Sequence, residues 1–137
     1  MAGYRFIDDL TSDVMFEAYG HDLKEVFTNA AMAMFSVICK LDKVRRKESR
    51  DVEVRGKNKE ELLISWLQHL ISLVDTEDMF FSRFDIKEID EKRVRARVFG
   101  EGIRPELGET VVKAVTYYKY NFERTGKCYV ARVSLDI

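Results

Sequence analysis

Two cysteines and two histidines leave this chain little for soft-metal or imidazole chemistry. Neither Cys39 nor Cys128 has a second cysteine at C-x-x-C spacing, so a zinc ribbon or dithiol motif is excluded, and both read as small buried apolar residues. A catalytic thiol needs a base, and neither His21 nor His69 stands near a cysteine in the sequence. The same scarcity rules out a His-rich metal centre and an H-E-x-x-H helix. Gly100, Gly102 and Gly108 fit neither phosphate-binding glycine motif, and no G-x-S-x-G elbow or EF-hand loop is present. The only proline, Pro105, lies between Gly100 and Gly108, a stretch that reads as a surface insertion and not a domain boundary. A net charge of -1 lacks the basic surplus of a protein built to neutralise phosphate backbone. No apolar run approaches bilayer length, and Tyr4-Arg5 leads at once into acidic residues. Neither a membrane span nor a signal peptide is expected, and the expected compartment is the cytoplasm.

What is present describes one folded domain over 1–137, with 46% hydrophobic and 34% charged residues. The expected class is α+β, with two amphipathic helices packed on a mostly antiparallel β-sheet. Leu23, Val26, Phe27, Ala30, Met34 and Ile38 recur at helical spacing after Asp22, an acidic residue suited to a helix N-terminus. Leu63, Trp66, Leu67, Leu70, Ile71 and Val74 form a second stripe, opened by Asn58 as cap with Glu61 three residues on. Period-two alternation marks strands at Tyr4 to Ile7, at Val14 to Ala18, around Val52 and Val54, and on both sides of Asp90-Glu91-Lys92, which reads as a hairpin turn. Thr110 to Arg124 reads as a long strand or a bent strand pair with Lys113 projecting among Val111, Val115 and Tyr117, followed by the turn Thr125-Gly126-Lys127 and a last strand from Cys128 to Asp136.

Two basic features invite a nucleic-acid reading. Between Lys40 and Glu60 nine basic residues face five acidic ones, and Arg93, Arg95 and Arg97 line one strand face. Each has a plainer explanation as a solvated loop or the wet side of an antiparallel sheet, since a nucleic-acid groove wants interleaved exposed aromatics and a larger basic surplus.

The acidic stretch Ile7-Asp8-Asp9-Leu10-Thr11-Ser12-Asp13-Val14 carries the chemistry that remains. Carboxylates this close are either left in water or given a cation. At the other end, Asp136 precedes Ile137, so side-chain and main-chain carboxylates stand on adjacent residues. If the two stretches meet, four or more oxygens converge, a donor set for a hard ion such as Ca²⁺ or Mg²⁺. A solvated turn and a frayed terminus is the alternative.

Several segments taken together are similar to the archease family: Thr11-Ser12-Asp13-Val14, Ala18-Tyr19-Gly20, the helix from Glu25-Val26-Phe27 to Met34-Phe35, Asp75-Thr76-Glu77, Val112-Lys113-Ala114-Val115-Thr116-Tyr117, and Leu135-Asp136-Ile137. They stand in order across essentially the whole chain. The resemblance implies a non-catalytic protein cofactor of the RtcB-type RNA ligase, promoting guanylylation and multiple turnover of that enzyme in tRNA splicing, with tRNA met only through the ligase. It also implies a divalent metal, Ca²⁺ or alternatively Mg²⁺, on Asp13, Asp136 and the carboxylate of Ile137, with Asp9 and Lys113 as further functional residues. Leu10 and Tyr118 depart from the family, which commonly has histidine at both places. An RNA-binding or chaperone-like adaptor in RNA processing is the competing expectation.

Overall fold

The computed structural model describes residues 3–8 and 13–137. Strands β1 (Tyr4–Ile7) and β2 (Val14–Gly20) lead into helix α1 (Leu23–Ile38). Strand β3 (Glu48–Arg55), helix α2 (Lys59–Glu77) and the hairpin of β4 (Met79–Ile89) and β5 (Arg93–Gly102) follow. Strands β6 (Ala114–Thr125) and β7 (Cys128–Asp136) complete the chain. They form two antiparallel sheets, one in the order β1-β2-β7-β6 and the other β3-β5-β4. The α+β class with two helices is therefore as expected, but the strands divide between two sheets.

Both helices begin where their capping chemistry places them. Asp22 accepts a hydrogen bond from the Glu25 amide at 2.8 Å, and the Glu25 carboxylate accepts one from the His21 amide. Asn58 accepts from the Glu61 amide at 2.9 Å, and Glu61 in turn accepts from the Lys57 amide. These bonds satisfy N–H groups that have no partner inside the helix. Helix α1 packs on β2 and β7 of the first sheet and on β4 of the second, while α2 meets β6, α1 and the strands of the second sheet. The methionine and phenylalanine stripe of α1 is core: Met34, Phe27 and Phe35 are fully buried, and Phe35 meets Phe81 and Phe84 edge-on or tilted. Trp66 of α2 is buried too, its indole N–H donating to the Phe27 carbonyl at 3.1 Å. That bond joins the helices and spares the indole an unsatisfied donor.

The sequence pattern misplaces one strand boundary. Residues 110–113 are not part of β6, which starts at Ala114. The Glu109 and Thr110 amides instead donate to the carbonyls of Ile38 and Val37 at the C-terminus of α1. Helix ends offer such acceptors, and two of them outcompete an extension of the strand ladder. Val111 consequently stands exposed, and Lys113 lies in the approach to β6 rather than on a face shared with Val115. The polar stretch after Lys40 is likewise more ordered than a solvated loop, because β3 already begins at Glu48.

Glu101, at the end of β5, is a buried carboxylate. It accepts from the Arg45 amide at 2.6 Å and from the Arg104 guanidinium at 3.0 Å. The Arg45 amide first, and then Arg104, hold its pKa below the ordinary carboxylate value, against the opposing effect of burial. A carboxyl whose pKa is lower in the folded state stabilises the fold above its unfolded pKa of roughly 4.3 and loses that contribution as pH falls. Glu101→Gln is therefore expected to weaken the protein at pH 7 while flattening its loss of stability between about pH 5 and pH 3. Urea unfolding at both ends of that window measures it, and an unchanged acid slope contradicts it.

Candidate functional site

The register of the first sheet brings the two acidic stretches together. β2 pairs antiparallel with β7 from Gly20↔Tyr129 to Val14↔Leu135, so Asp13 and Asp136 stand one residue beyond the last pair. On the other side of β7, Ala114 pairs with Asp136, and the Lys113 amide donates to the Asp136 carbonyl at 2.7 Å. Asp13, Asp136 and Lys113 thus share one end of the sheet, drawn from three separate stretches of chain. Asp13 and Asp136 are half-buried and Lys113 is exposed. Ile137 follows at the same tip and is exposed. Asp9, the other expected functional residue, lies outside the described residues, as does Leu10; Asp8 is exposed.

Alternation along the strands puts the two aspartates on the same side of the sheet. Met15 pairs directly with Ser134, so Asp13 and Asp136 are the next residues on that face, the one turned away from α1. Like charges at cross-strand positions repel, and a nearby cation relieves them. Two carboxylates are hard donors suited to Ca²⁺ or Mg²⁺, whereas no group of three or more histidine, cysteine or acidic side chains that could hold a metal occurs among the described residues. The pair fits part of a hard-ion shell, which also draws on main-chain oxygens and water.

Sequence reasoning missed the parts that hold this tip in place. Gln68 of α2 accepts from the Val115 amide at 3.0 Å, fixing the start of β6. Between Thr116↔Ser134 and Asn121↔Arg132 the ladder breaks, and Tyr117 to Tyr120 stand opposite the single residue Val133. Lys119 there adopts a left-handed backbone with φ of 52°. The fully buried Ser134 hydroxyl donates to the Tyr118 carbonyl at 2.8 Å, and Arg132 Nε donates to the Lys119 carbonyl at 2.8 Å. The Tyr120 hydroxyl donates to the Glu60 carbonyl at 2.7 Å, and burial, with Glu60 adding, pushes its pKa up. A residue run rich in tyrosine within a strand gives no sign of a bulge, because tyrosine favours strands.

The arginine stripe is paired with acidic neighbours, and so is part of the basic segment before it. On the outer face of the second sheet Arg93 pairs with Glu53 at 2.9 Å, Arg97 with Asp51 at 2.9 Å, and Arg95 with Glu88. Arg50 pairs with Glu77. The arginine stripe is the wet side of a sheet, with exposed ion pairs each worth about 0–1 kcal/mol. The cysteines differ from each other. Cys39 is buried, and desolvation pushes its thiol up to about 12. Cys128, expected to be buried, is only half-buried at the end of β7, with its sulfur 3.7 Å from His21 Nδ1. The hairpin register exposes that end, since Thr125↔Cys128 closes on the turn.

Residues 4–137 match the model of the archease protein family (MTH1598/TM1083). The chain belongs to the archease family. The archease of Methanothermobacter thermautotrophicus is 40% identical over the whole of both chains, and that of Sulfurisphaera tokodaii is 40% identical, covering 93% of this chain and 94% of its own. The solution structure of protein 1598 from Methanobacterium thermoautotrophicum superposes with a TM-score of 0.84 at 36% identity, covering all of both chains. A crystal structure of an archease from Thermotoga maritima, described as a possible chaperone, shares the fold with a TM-score of 0.65 at 20% identity over 97% of both chains. Among the described residues of this archease, no helix is long and apolar enough to cross a membrane.

Proposed function

We propose that this archease is a cytoplasmic protein cofactor of an RtcB-type RNA ligase, raising guanylylation and multiple turnover of the ligase in tRNA splicing without catalysing ligation itself. The observation that carries the reading is the meeting of Asp13, Asp136 and Lys113 at one sheet end, from positions far apart in sequence. These residues lie in segments that resemble the family, and the β2–β7 register brings the two aspartates from distant stretches of chain to neighbouring strand ends. Asp13, Asp136 and the carboxylate of Ile137 would hold a divalent ion, Ca²⁺ or alternatively Mg²⁺, with Asp9 as a neighbouring acidic residue. Such an ion supplies positive charge to phosphate oxygens. The protein's own part is to fix the two carboxylates on the rigid β2–β7 ladder and to keep Lys113 beside them through its amide bond to Asp136.

A ligation assay with limiting cognate ligase and excess RNA tests this. With the archease present, product is expected to exceed one equivalent per ligase and continue to accumulate. Equal product with and without it would reject the reading. The competing adaptor reading requires salt-dependent affinity for RNA in the absence of the ligase, and the paired state of the arginine stripe gives it little support.

A further inference from the structure

We infer that Cys128 and His21 act as nucleophile and base, and that Cys128 is a site of reversible thiolation by small disulfides. The two residues lie near opposite ends of the sequence, and the β2–β7 ladder brings them together. Its last pair at this end is Gly20↔Tyr129, so His21 and Cys128 are the next two residues in register, as Asp13 and Asp136 are at the other end. The pair and the acidic tip therefore stand at opposite ends of one ladder, roughly 25 Å apart at the usual strand rise. The inference is independent of the activator reading.

Both partners are held by their backbones. His21 occupies the corner between β2 and α1, where its amide donates to the Glu25 carboxylate at 2.9 Å. Gly20 lets that corner close, because a Cβ there would lie 2.3 Å from the Val26 amide nitrogen. Cys128 is fixed by its pairing with Thr125 across the turn, where Gly126 takes a φ of 62°. The resulting 3.7 Å between sulfur and Nδ1 lets the thiol donate to the imidazole.

The thiol is also open to a reagent. Cys128 is half-buried and His21 exposed, and with Gly3, Tyr19, Glu25 and Asn29 they line a cavity of about 400 Å³, a volume in the range of small-molecule sites. Cys39 is the contrast. It is buried, and its thiol donates to the Phe35 carbonyl at 3.3 Å, an acceptor that cannot take the proton away.

A thiol attacks through its sulfur as the proton leaves. Here the proton passes from Cys128 to His21 Nδ1 while the sulfur attacks one sulfur of a disulfide R–S–S–R. A new S–S bond forms to Cys128, the old one breaks, and the expelled thiolate recovers the proton from the His21 imidazolium. Cys128 is oxidised and the leaving half is reduced, so the disulfide is the whole of the oxidant, and excess free thiol reverses the step. A zinc ion would need four donors, whereas no group of three or more suitable side chains occurs among the described residues.

Dithiodipyridine, a small neutral disulfide whose released half is followed by absorbance, tests this on the purified protein at pH 7. The parent is expected to take up one equivalent per chain at Cys128, located by peptide mass, and to lose it to dithiothreitol. Cys128→Ser abolishes the uptake. His21→Gln and His21→Ala are each expected to slow it about tenfold, less than the usual loss of a general base because a few per cent of a free thiol is already ionised at this pH. Cys39 reports the fold, since a chain that opens takes up a second equivalent, and His21→Gln keeps a polar side chain at the corner should the alanine variant open. Uptake as fast in the histidine variants as in the parent would leave Cys128 a merely exposed sulfur and overturn the pairing. Uptake at Cys39 alone, or an adduct that dithiothreitol does not remove, would overturn the assignment of the site.

Discussion

Asp13→Ala and Asp136→Ala are each expected to lower ligase activation by about 100-fold, the scale on which metal sites respond to loss of parts of their shell. Their effect on stability should be small by comparison. Both residues lie at the end of the ladder, half-buried, and neither contributes to the apolar core. Because neither carboxylate belongs to the apolar core, thermal midpoints are expected to stay within a few degrees of the parent. Calcium titration by calorimetry gives a readout independent of the ligase, and heat from the parent but not from either variant is the expected result. Full activation by both variants would detach function from the tip. Asp13→Asn keeps shape and removes charge, so it distinguishes an electrostatic role from a packing one.

Gly100→Ala is expected to cost about 3 kcal/mol or more, enough to remove a large share of the roughly 5–15 kcal/mol by which a domain of this kind is stable. Gly100 sits in β5, the central strand of the second sheet, paired with Glu48 on one side and Phe81 on the other. A Cβ there would lie 1.8 Å from the Phe80 carbonyl oxygen and 2.8 Å from Phe81 Cα. These are backbone atoms held by the ladder, so relief requires separating β4 from β5 where Phe80 and Phe81 enter the core. Gly102, two residues on, is the control. A Cβ there meets nothing closer than 4.0 Å, and Gly102→Ala is expected to change stability by no more than about 0.5 kcal/mol. Urea midpoints for the two variants measure the contrast, and equal midpoints would show that β4 and β5 give way more easily than their packing implies.

The sequence was most informative where local chemistry alone decides the structure. Asp22 and Asn58 cap helices because their side chains reach amides three residues on, a contact that needs no knowledge of the fold. The apolar stripe around Trp66 was legible for the same reason. The division of strands between two sheets was not, since alternation reports which face of a strand is buried and nothing about its neighbour. Lys113 shows the limit at the site. Val111, Lys113 and Val115 keep strand period, yet the amides just before them are taken by the end of α1, a competitor far away in sequence. The bulge at Tyr117 to Tyr120 was hidden because its cause, the hydroxyl of Ser134 and the guanidinium of Arg132, lies on another strand. It also bears on the departure at Tyr118. What Ser134 holds is the main-chain carbonyl of residue 118, so the bulge itself does not depend on a histidine there. The pairing of Asp13 with Asp136 could be proposed from the kind of oxygen each carries, but their adjacency is a property of the β2–β7 register.

That register also governs when the tip can exist. β2 and β7 are neighbours in the middle of their sheet although they lie near opposite ends of the sequence, so closing this pair costs loop entropy over nearly the whole chain. Contacts of such long range form late and slow folding. During synthesis, α1, α2 and the β3-β5-β4 sheet are all available before β7 emerges, and Asp13 then has no partner strand. The carboxylate tip therefore exists only once β7 has paired with β2, because that register is what sets Asp13 beside Asp136.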